Sequence, residues 1–169
     1  MKKLLTCCAM AAAFVAVPAS AQWYGGVGVG SSKIDGAGSG LDSSKTSAKL
    51  YGGYQITPTW GAEAQYTDLG KREAPGVSIK PSQYSLAGTG TFPVSQSFSL
   101  MGKLGVTRNR VDVSVGNNEN KSDLLVGVGV SYAITPKMAV RLEYEDFGKL
   151  SSNGSVRANN YSLNLQYAF

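Results

Sequence analysis

Residues 161–169 read YSLNLQYAF. Tyr161, Leu163, Leu165, Tyr167 and Phe169 are large and apolar, and the residues between them are polar or small. Strict period-two alternation specifies a strand with one oily and one polar face. Which face looks inward depends on what the rest of the chain can supply.

Working back from this segment, residues 22–169 show no helical period. Eight alternating runs fall near 22–33, 46–56, 59–69, 82–92, 98–110, 122–134, 138–148 and 159–169. Tight connections (Thr57-Pro58-Thr59, Pro93 to Ser97, Thr135-Pro136-Lys137) alternate with long polar ones: "IDGAGSGLDSS", "KREAPGVSIK", "DVSVGNNENK" and "LSSNGSVRAN". Short turns at one end and long loops at the other describe an up-and-down meander. Eight strands are enough for such a sheet to close.

The two faces decide the solvent. One carries Trp23, Val27, Leu50, Trp60, Leu104, Val128, Leu142 and the terminal apolar series. The other carries Tyr24, Gly26, Lys49, Tyr51, Glu63, Gln65, Lys103, Arg141, Glu143 and Glu145. Charged residues are almost never buried in a soluble core unless paired. Here the polar set recurs on every strand, and the oily set gathers its aromatics toward the strand ends. The pattern is a barrel turned inside out, with aromatic girdles at two lipid interfaces. The expected fold is an all-β, eight-stranded antiparallel up-and-down transmembrane barrel.

The first residues set the compartment. "MKKLLTCCAMAAAFVAVPASA" has a basic tip, an apolar run from Leu4 to Val17 and an Ala19-Ser20-Ala21 cleavage site. Residues 1–21 therefore read as a cleaved signal peptide and 22–169 as the barrel. A rival reading acylates Cys7, but the apolar run before it is almost nothing and Thr6 is a poor fit beside it. Cys7 and Cys8 are the only cysteines and leave with the signal, so no disulfide framework remains. The formal charge of +5 falls to +3 without Lys2 and Lys3. No basic stripe is interleaved with aromatics, which argues against nucleic acid.

Residues 54–70, YQITPTWGAEAQYTDLG, match 132–148, YAITPKMAVRLEYEDFG, in turn and strand. Tyr54/Tyr132, Pro58/Pro136, Tyr66/Tyr144, Asp68/Asp146 and Gly70/Gly148 coincide. Either half-barrel duplication or convergent strand chemistry accounts for this. The match places the third strand opposite the seventh in a closed barrel of eight.

These two hairpins resemble those of the transmembrane-domain family of outer-membrane protein A, and the resemblance covers essentially all of 22–169. It implies a Gram-negative outer membrane, both termini in the periplasm, loops outside, and a monomer surrounded by lipid and lipopolysaccharide. It also implies delivery by periplasmic chaperones and folding by the barrel-assembly machinery. That machinery reads a terminal strand such as Tyr161, Leu163, Leu165, Tyr167 and Phe169, so the last strand doubles as an assembly signal. Full-length family members continue into a peptidoglycan-binding domain. With Phe169 the last residue, cell-wall tethering is not carried over. The family's interior charge cluster is matched in part by Glu63, Lys103, Arg141 and Glu143, while a further Lys and Glu align with Thr89 and Ser131.

Chemical motifs mostly fail. "GGVGVGSSK" lacks a phosphate-loop pattern and a following helix. Histidine is absent, which removes Ser-His and Asp-His hydrolases, and without mature Cys or His no N/S metal site forms. No enzyme activity, cofactor or metal is expected. Glu143 and Glu145 imitate a carboxylate pair but read as solvated rim charge, with Asp146 on the opposite face. Two functions remain: a structural envelope barrel, with or without a narrow ion path, and a surface adhesin acting through four loops. The polar loops offer no large apolar anchor, which favours the first.

Glu63 and Arg141 each lie five residues beyond the proline of a tight turn, on opposite walls. They are expected to meet as an ionic crossbar, with Glu143 two strand positions further up as a second acceptor and Lys103 near that level. The crossbar is either a gate or a static plug. As a gate, it predicts that Arg141→Ala raises conductance and that Glu63→Arg with Arg141→Glu restores the wild-type level. The topology predicts that protease added to intact cells cuts within Gly36–Ser43, Lys71–Val77, Gly116–Asn120 and Ser151–Ser155 but spares the turns at Pro58 and Pro136. Cleavage at the turns would invert it.

Overall fold

A computed structural model describes residues 22–35, 44–70, 72–74, 77–113, 119–149 and 157–169. The signal segment 1–21 lies outside them. Nine strands follow in chain order: β1 Gln22–Asp35, β2 Ser44–Gln55, β3 Trp60–Asp68, β4 Arg72–Ala74, β5 Val77–Pro93, β6 Phe98–Val113, β7 Glu119–Ala133, β8 Met138–Lys149 and β9 Arg157–Ala168. Neighbours in the chain pair antiparallel, and β9 returns to pair with β1. The three-residue β4 pairs only with β5, while β3 pairs with β5 directly. The wall is thus a closed barrel of eight staves, and no described residue is helical.

The pleat sorts side chains as the alternation requires. Trp23 is 66% exposed and its neighbour Tyr24 only 6%. Cross-strand aromatic pairs form two bands on the outer surface. Trp23–Tyr54 (4.8 Å between ring centres), Trp60–Phe92 (6.3 Å) and Phe98–Tyr132 (4.9 Å) lie toward the tight turns. Tyr66–Tyr84 (5.0 Å) and Tyr144–Tyr161 (4.7 Å) lie toward the loop end. Between them run exposed Val, Leu and Ile side chains, the composition of a lipid-facing belt.

All three tight turns close in one way. Thr57 Oγ1 accepts from Trp60 N (2.9 Å), Ser95 Oγ from Phe98 N (3.0 Å) and Thr135 Oγ1 from Met138 N (3.0 Å). Pro58 and Pro136 carry no N–H that would need a partner there. The middle turn has Gln96 where the others have proline, and Ser95 makes the same closure.

Except for β3, which ends at Asp68 rather than 69, the strands run one to five residues further toward the loops than the alternation indicates; β5 begins at Val77 rather than 82, and β6 ends at Val113 rather than 110. Backbone pairing needs no alternation, and beyond the bilayer both faces are wet. The segment 71–80, read from the sequence as an open connection, instead contains a small hairpin pairing Arg72–Ala74 with Val77–Ile79. That hairpin occupies much of the expected cut site at Lys71–Val77. Segments 36–43 and 151–155 lie outside the described residues, as do 116–118 of the third loop, whose Glu119 and Asn120 belong to β7.

The repeated motif has a shared conformation. Gly70 (φ 77°) and Gly148 (φ 67°) are the positive-φ residues of the described chain. In each copy the aspartate two residues earlier, Asp68 or Asp146, accepts the glycine N–H through Oδ1 at 2.8 Å. At Gly148 the β8–β9 register slips, which marks a bulge. The residue between aspartate and glycine, Leu69 or Phe147, is fully buried.

Candidate functional site

Six charged side chains are buried among the described residues: Lys49, Lys103 and Arg141 against Glu63, Glu143 and Glu145. Their strands place them on different walls, and parity points all six into the lumen. Arg141 Nη1 reaches Glu63 Oε2 across the barrel at 3.0 Å, and Nη2 pairs with Glu143 on its own strand. Lys103 pairs with Glu63, with Glu143 at 3.0 Å and with Glu145 at 3.3 Å. Lys49 pairs with Glu143 and with Glu145 at 3.0 Å. Every carboxylate has at least two cations, and the network is neutral. Isolated buried ions are expensive, so this full compensation is what makes the lumen tolerable.

Two tyrosines complete the waist. Tyr24 Oη donates to Glu63 Oε2 at 3.1 Å. The Tyr51 ring has Arg141 Cζ 4.7 Å from its centre and the Lys49 and Lys103 ammonium groups at 5.6 and 5.7 Å. Each ring lies across a glycine on the neighbouring strand, Tyr24 opposite Gly53 and Tyr51 opposite Gly26. A Cβ on Gly26 would stand 2.4 Å from the Tyr51 ring and 2.5 Å from Leu165 O. Gly26→Val is therefore expected to lower unfolding stability in detergent by about 1–3 kcal/mol through overpacking. An unchanged urea midpoint would sink this account of the glycine-rich first strand.

Toward the loop end an apolar cluster shares the lumen with buried Ser32, Thr67, Gln83 and Asn109. Leu69, Leu125, Phe147 and Ala158 are all fully buried. Leu69 and Phe147 enter from opposite walls through the two copies of the repeat. Leu125 on β7 and Ala158 on β9 flank Phe147, one on each adjacent strand. The void beside Lys103, Glu143 and Glu145 has no room for a water molecule.

The structure brings together Glu63, Lys103, Arg141 and Glu143, the four residues singled out from the sequence. The family match did not single out Lys49, Glu145, Tyr24 and Tyr51, although parity put all four on the inner face. Their height depends on the stagger between strands, which a single sequence does not display. One reading is corrected. Glu143 and Glu145 are not solvated rim charge: they are 3% and 0% exposed, because Lys49 and Lys103 meet them inside. The terminal residues Tyr161, Leu163, Leu165, Tyr167 and Phe169 all face outward on or just beyond β9.

The model of the outer membrane protein beta-barrel domain matches residues 4–169. Outer membrane protein A of Escherichia fergusonii is 30% identical over 178 residues, covering 91% of this chain and 50% of that protein. The Escherichia coli O157:H7 protein is 31% identical over 173 residues, with 91% and 49% covered. The chain thus spans about half the length of these relatives. Among solved structures, Neisserial surface protein A superposes with a TM-score of 0.65 at 24% identity, covering 87% of this chain and 97% of that one. Ail, the attachment invasion locus protein of Yersinia pestis, gives 0.64 at 22%, covering 89% and 99%. Sequence match, inverted barrel and lipid-facing belt agree: this chain belongs to the outer membrane protein β-barrel family and resides in the outer membrane.

Proposed function

We propose that the protein is a structural barrel of the outer membrane whose lumen is shut at rest. Its loops face outward and both ends lie in the periplasm. Residues 1–21 direct export, and periplasmic chaperones with the barrel-assembly machinery insert the chain as a monomer. One observation carries the reading: all six buried charges compensate one another in a network joining opposite walls. Such a lumen is a packed interior rather than a water-filled bore. The same observation supports a sealing role for Glu63, Lys103, Arg141 and Glu143.

Refolded residues 22–169 should migrate differently on gels before and after heating, and should show no unitary steps in planar bilayers. Steady channels from the unaltered chain would overturn the closed reading. Shortening segments 36–43 and 151–155 should leave the envelope barrier of cells intact, because the seal lies within the walls. Loss of barrier on loop shortening would instead assign the function to the loops.

A further inference from the structure

Arg108 stands on the outer face of β6, exposed and in line with Leu104 and Val106. Its register partners are Tyr84 on β5 and Ser122 on β7, both also exposed. A phenol, a guanidinium and a hydroxyl therefore stand abreast on three neighbouring strands. The Tyr84 ring stacks on Tyr66 at 5.0 Å, within the loop-end aromatic band, which leaves its hydroxyl outside that contact. Among the described residues no hydrogen bond or ion pair occupies the Tyr84 hydroxyl, the Arg108 guanidinium or the Ser122 hydroxyl. The row lies at the level where acyl chains give way to headgroups.

A shallow groove of about 240 Å³ runs from this row along the β5–β6 wall. Leu86 and Val106, each 60% exposed, line its apolar part, and no acidic side chain among the described residues lines it. The wall continues past Arg108, because β5 stays paired with β6 up to Ile79↔Val113 and β6 with β7 up to Val111↔Glu119. A headgroup at Arg108 thus has sheet beside it. Arg157 makes the contrast. It too is exposed on the outer face, but the groove it lines also holds Asp123 and Asp146, which repel an anion.

We infer that the groove on β5 and β6 seats one lipopolysaccharide molecule of the outer leaflet through a phosphate of its lipid A. The phosphate oxygens accept from Arg108, with Tyr84 and Ser122 as flanking donors, and an acyl chain lies along Leu86 and Val106. The inference rests on the proposed orientation, loops outward, which puts this level in the lipopolysaccharide leaflet. Chemistry selects the occupant. Unengaged donors with no carboxylate among them call for an anion with several acceptor oxygens, and the guanidinium fork matches a phosphate in two bonds. An ammonium-bearing headgroup would meet no acid here. Moving an acyl chain from bilayer to groove exchanges one apolar surround for another, so discrimination comes from the phosphate.

The test refolds residues 22–169 into phosphatidylcholine nanodiscs holding equal amounts of lipid A, lipid A stripped of its phosphates, and phosphatidylglycerol. Chelator is present throughout, so that no metal bridges the charges. Mild detergent then releases the barrel, and native mass spectrometry identifies the lipid it keeps. Lipid A should be enriched about tenfold over the stripped form, the value of one charge-assisted hydrogen bond. Arg108→Gln should erase the enrichment, and Arg108→Lys should keep part of it. Tyr84→Phe should lower it about threefold while leaving the ring on Tyr66. Arg157→Gln should leave it unchanged. All these side chains face outward, and heat-dependent gel migration checks that each variant keeps the barrel. A nanodisc presents both leaflets to the barrel alike, so failure of the proposed orientation would show only in the protease pattern on intact cells. Equal retention of lipid A and its stripped form would overturn the assignment. So would an enrichment that survives Arg108→Gln, or an equal loss on Arg157→Gln, which would make the effect one of diffuse charge. Phosphatidylglycerol kept as firmly as lipid A would also overturn it, making the groove a seat for any lipid phosphate.

Discussion

Arg141→Ala should cost the barrel about 3 kcal/mol of stability and still leave it silent in planar bilayers. The stability loss follows from the arithmetic of the network. Without Arg141, three buried carboxylates face only Lys49 and Lys103, and Glu63 keeps a single cation. The loss sits at the low end for a broken buried pair, because Lys103 already touches all three acids. Silence follows from the second barrier. Leu69, Leu125, Phe147 and Ala158 pack with uncharged Ser32, Thr67, Gln83 and Asn109 in the lumen toward the loop end, and a narrow uncharged constriction with apolar walls excludes ions by shedding its water. Leu69→Ala with Phe147→Ala should likewise be silent, held by the waist. Only the triple variant should show discrete current steps. If Arg141→Ala conducts alone, the apolar layer is no barrier; if the triple variant is silent, the seal lies elsewhere.

The charge swap expected from the sequence to restore the waist should fail. Glu63→Arg would point a guanidinium at Lys103, and Arg141→Glu would set a carboxylate against Glu143, because each member of the crossbar is shared with a further partner. Glu63→Arg with Arg141→Glu should therefore be less stable than either single variant. Recovery to wild-type stability would show that the pair acts alone.

Removing Phe169, or replacing Tyr167 and Phe169 with Ser, should reduce surface protein to near background while leaving refolding in detergent largely intact. Phe169 N–H donates to Trp23 O at 3.0 Å, its carbonyl accepts from Gln22 Nε2 at 2.8 Å, and its ring meets Tyr167 at 5.4 Å. Those contacts are a small part of a seam that registers twelve residues of β1 against β9, and their loss costs roughly 1–3 kcal/mol. The serine variant keeps the ladder and loses only outward aromatic surface. A collapse in cells far beyond that in vitro cost would come from lost recognition by the assembly machinery. Normal surface levels would refute the assembly-signal proposal.

The barrel was legible because lipid enforces a rule on every second residue. Trp23, Leu104 and Leu163 must be apolar, and Glu63 and Arg141 on the opposite parity then have nowhere to lie but inside. Strand ends were not legible, since past the bilayer neither face is constrained and the pairing of Val77–Ile79 with Arg72–Ala74 needs no alternation. The crossbar could be located from two prolines, which set a common height on matching hairpins. Lys49 has no such ruler: its meeting with Glu143 depends on the stagger accumulated over the three strand steps from β2 to β8. The apolar layer did leave a signal. Leu69, Leu125 and Phe147 stand at inward parity near strand ends, and the inward residues deeper in the same strands are all small or polar.

The seam between β1 and β9 brings Gln22 against Phe169, 147 positions apart in the chain. In space residues 22–169 form a ring whose two ends lie side by side. The position a strand holds in the wall and the position it holds in the sequence are therefore separate properties. A cyclically rearranged chain, joined across this gap and reopened in the Thr57–Pro58 turn, would keep every neighbour in the wall. It would end at Thr57, on a strand whose last large side chains are Tyr54 and Ile56. Architecture would be unchanged and only the order of synthesis altered, so geometry and the reading of the final strand become independently adjustable.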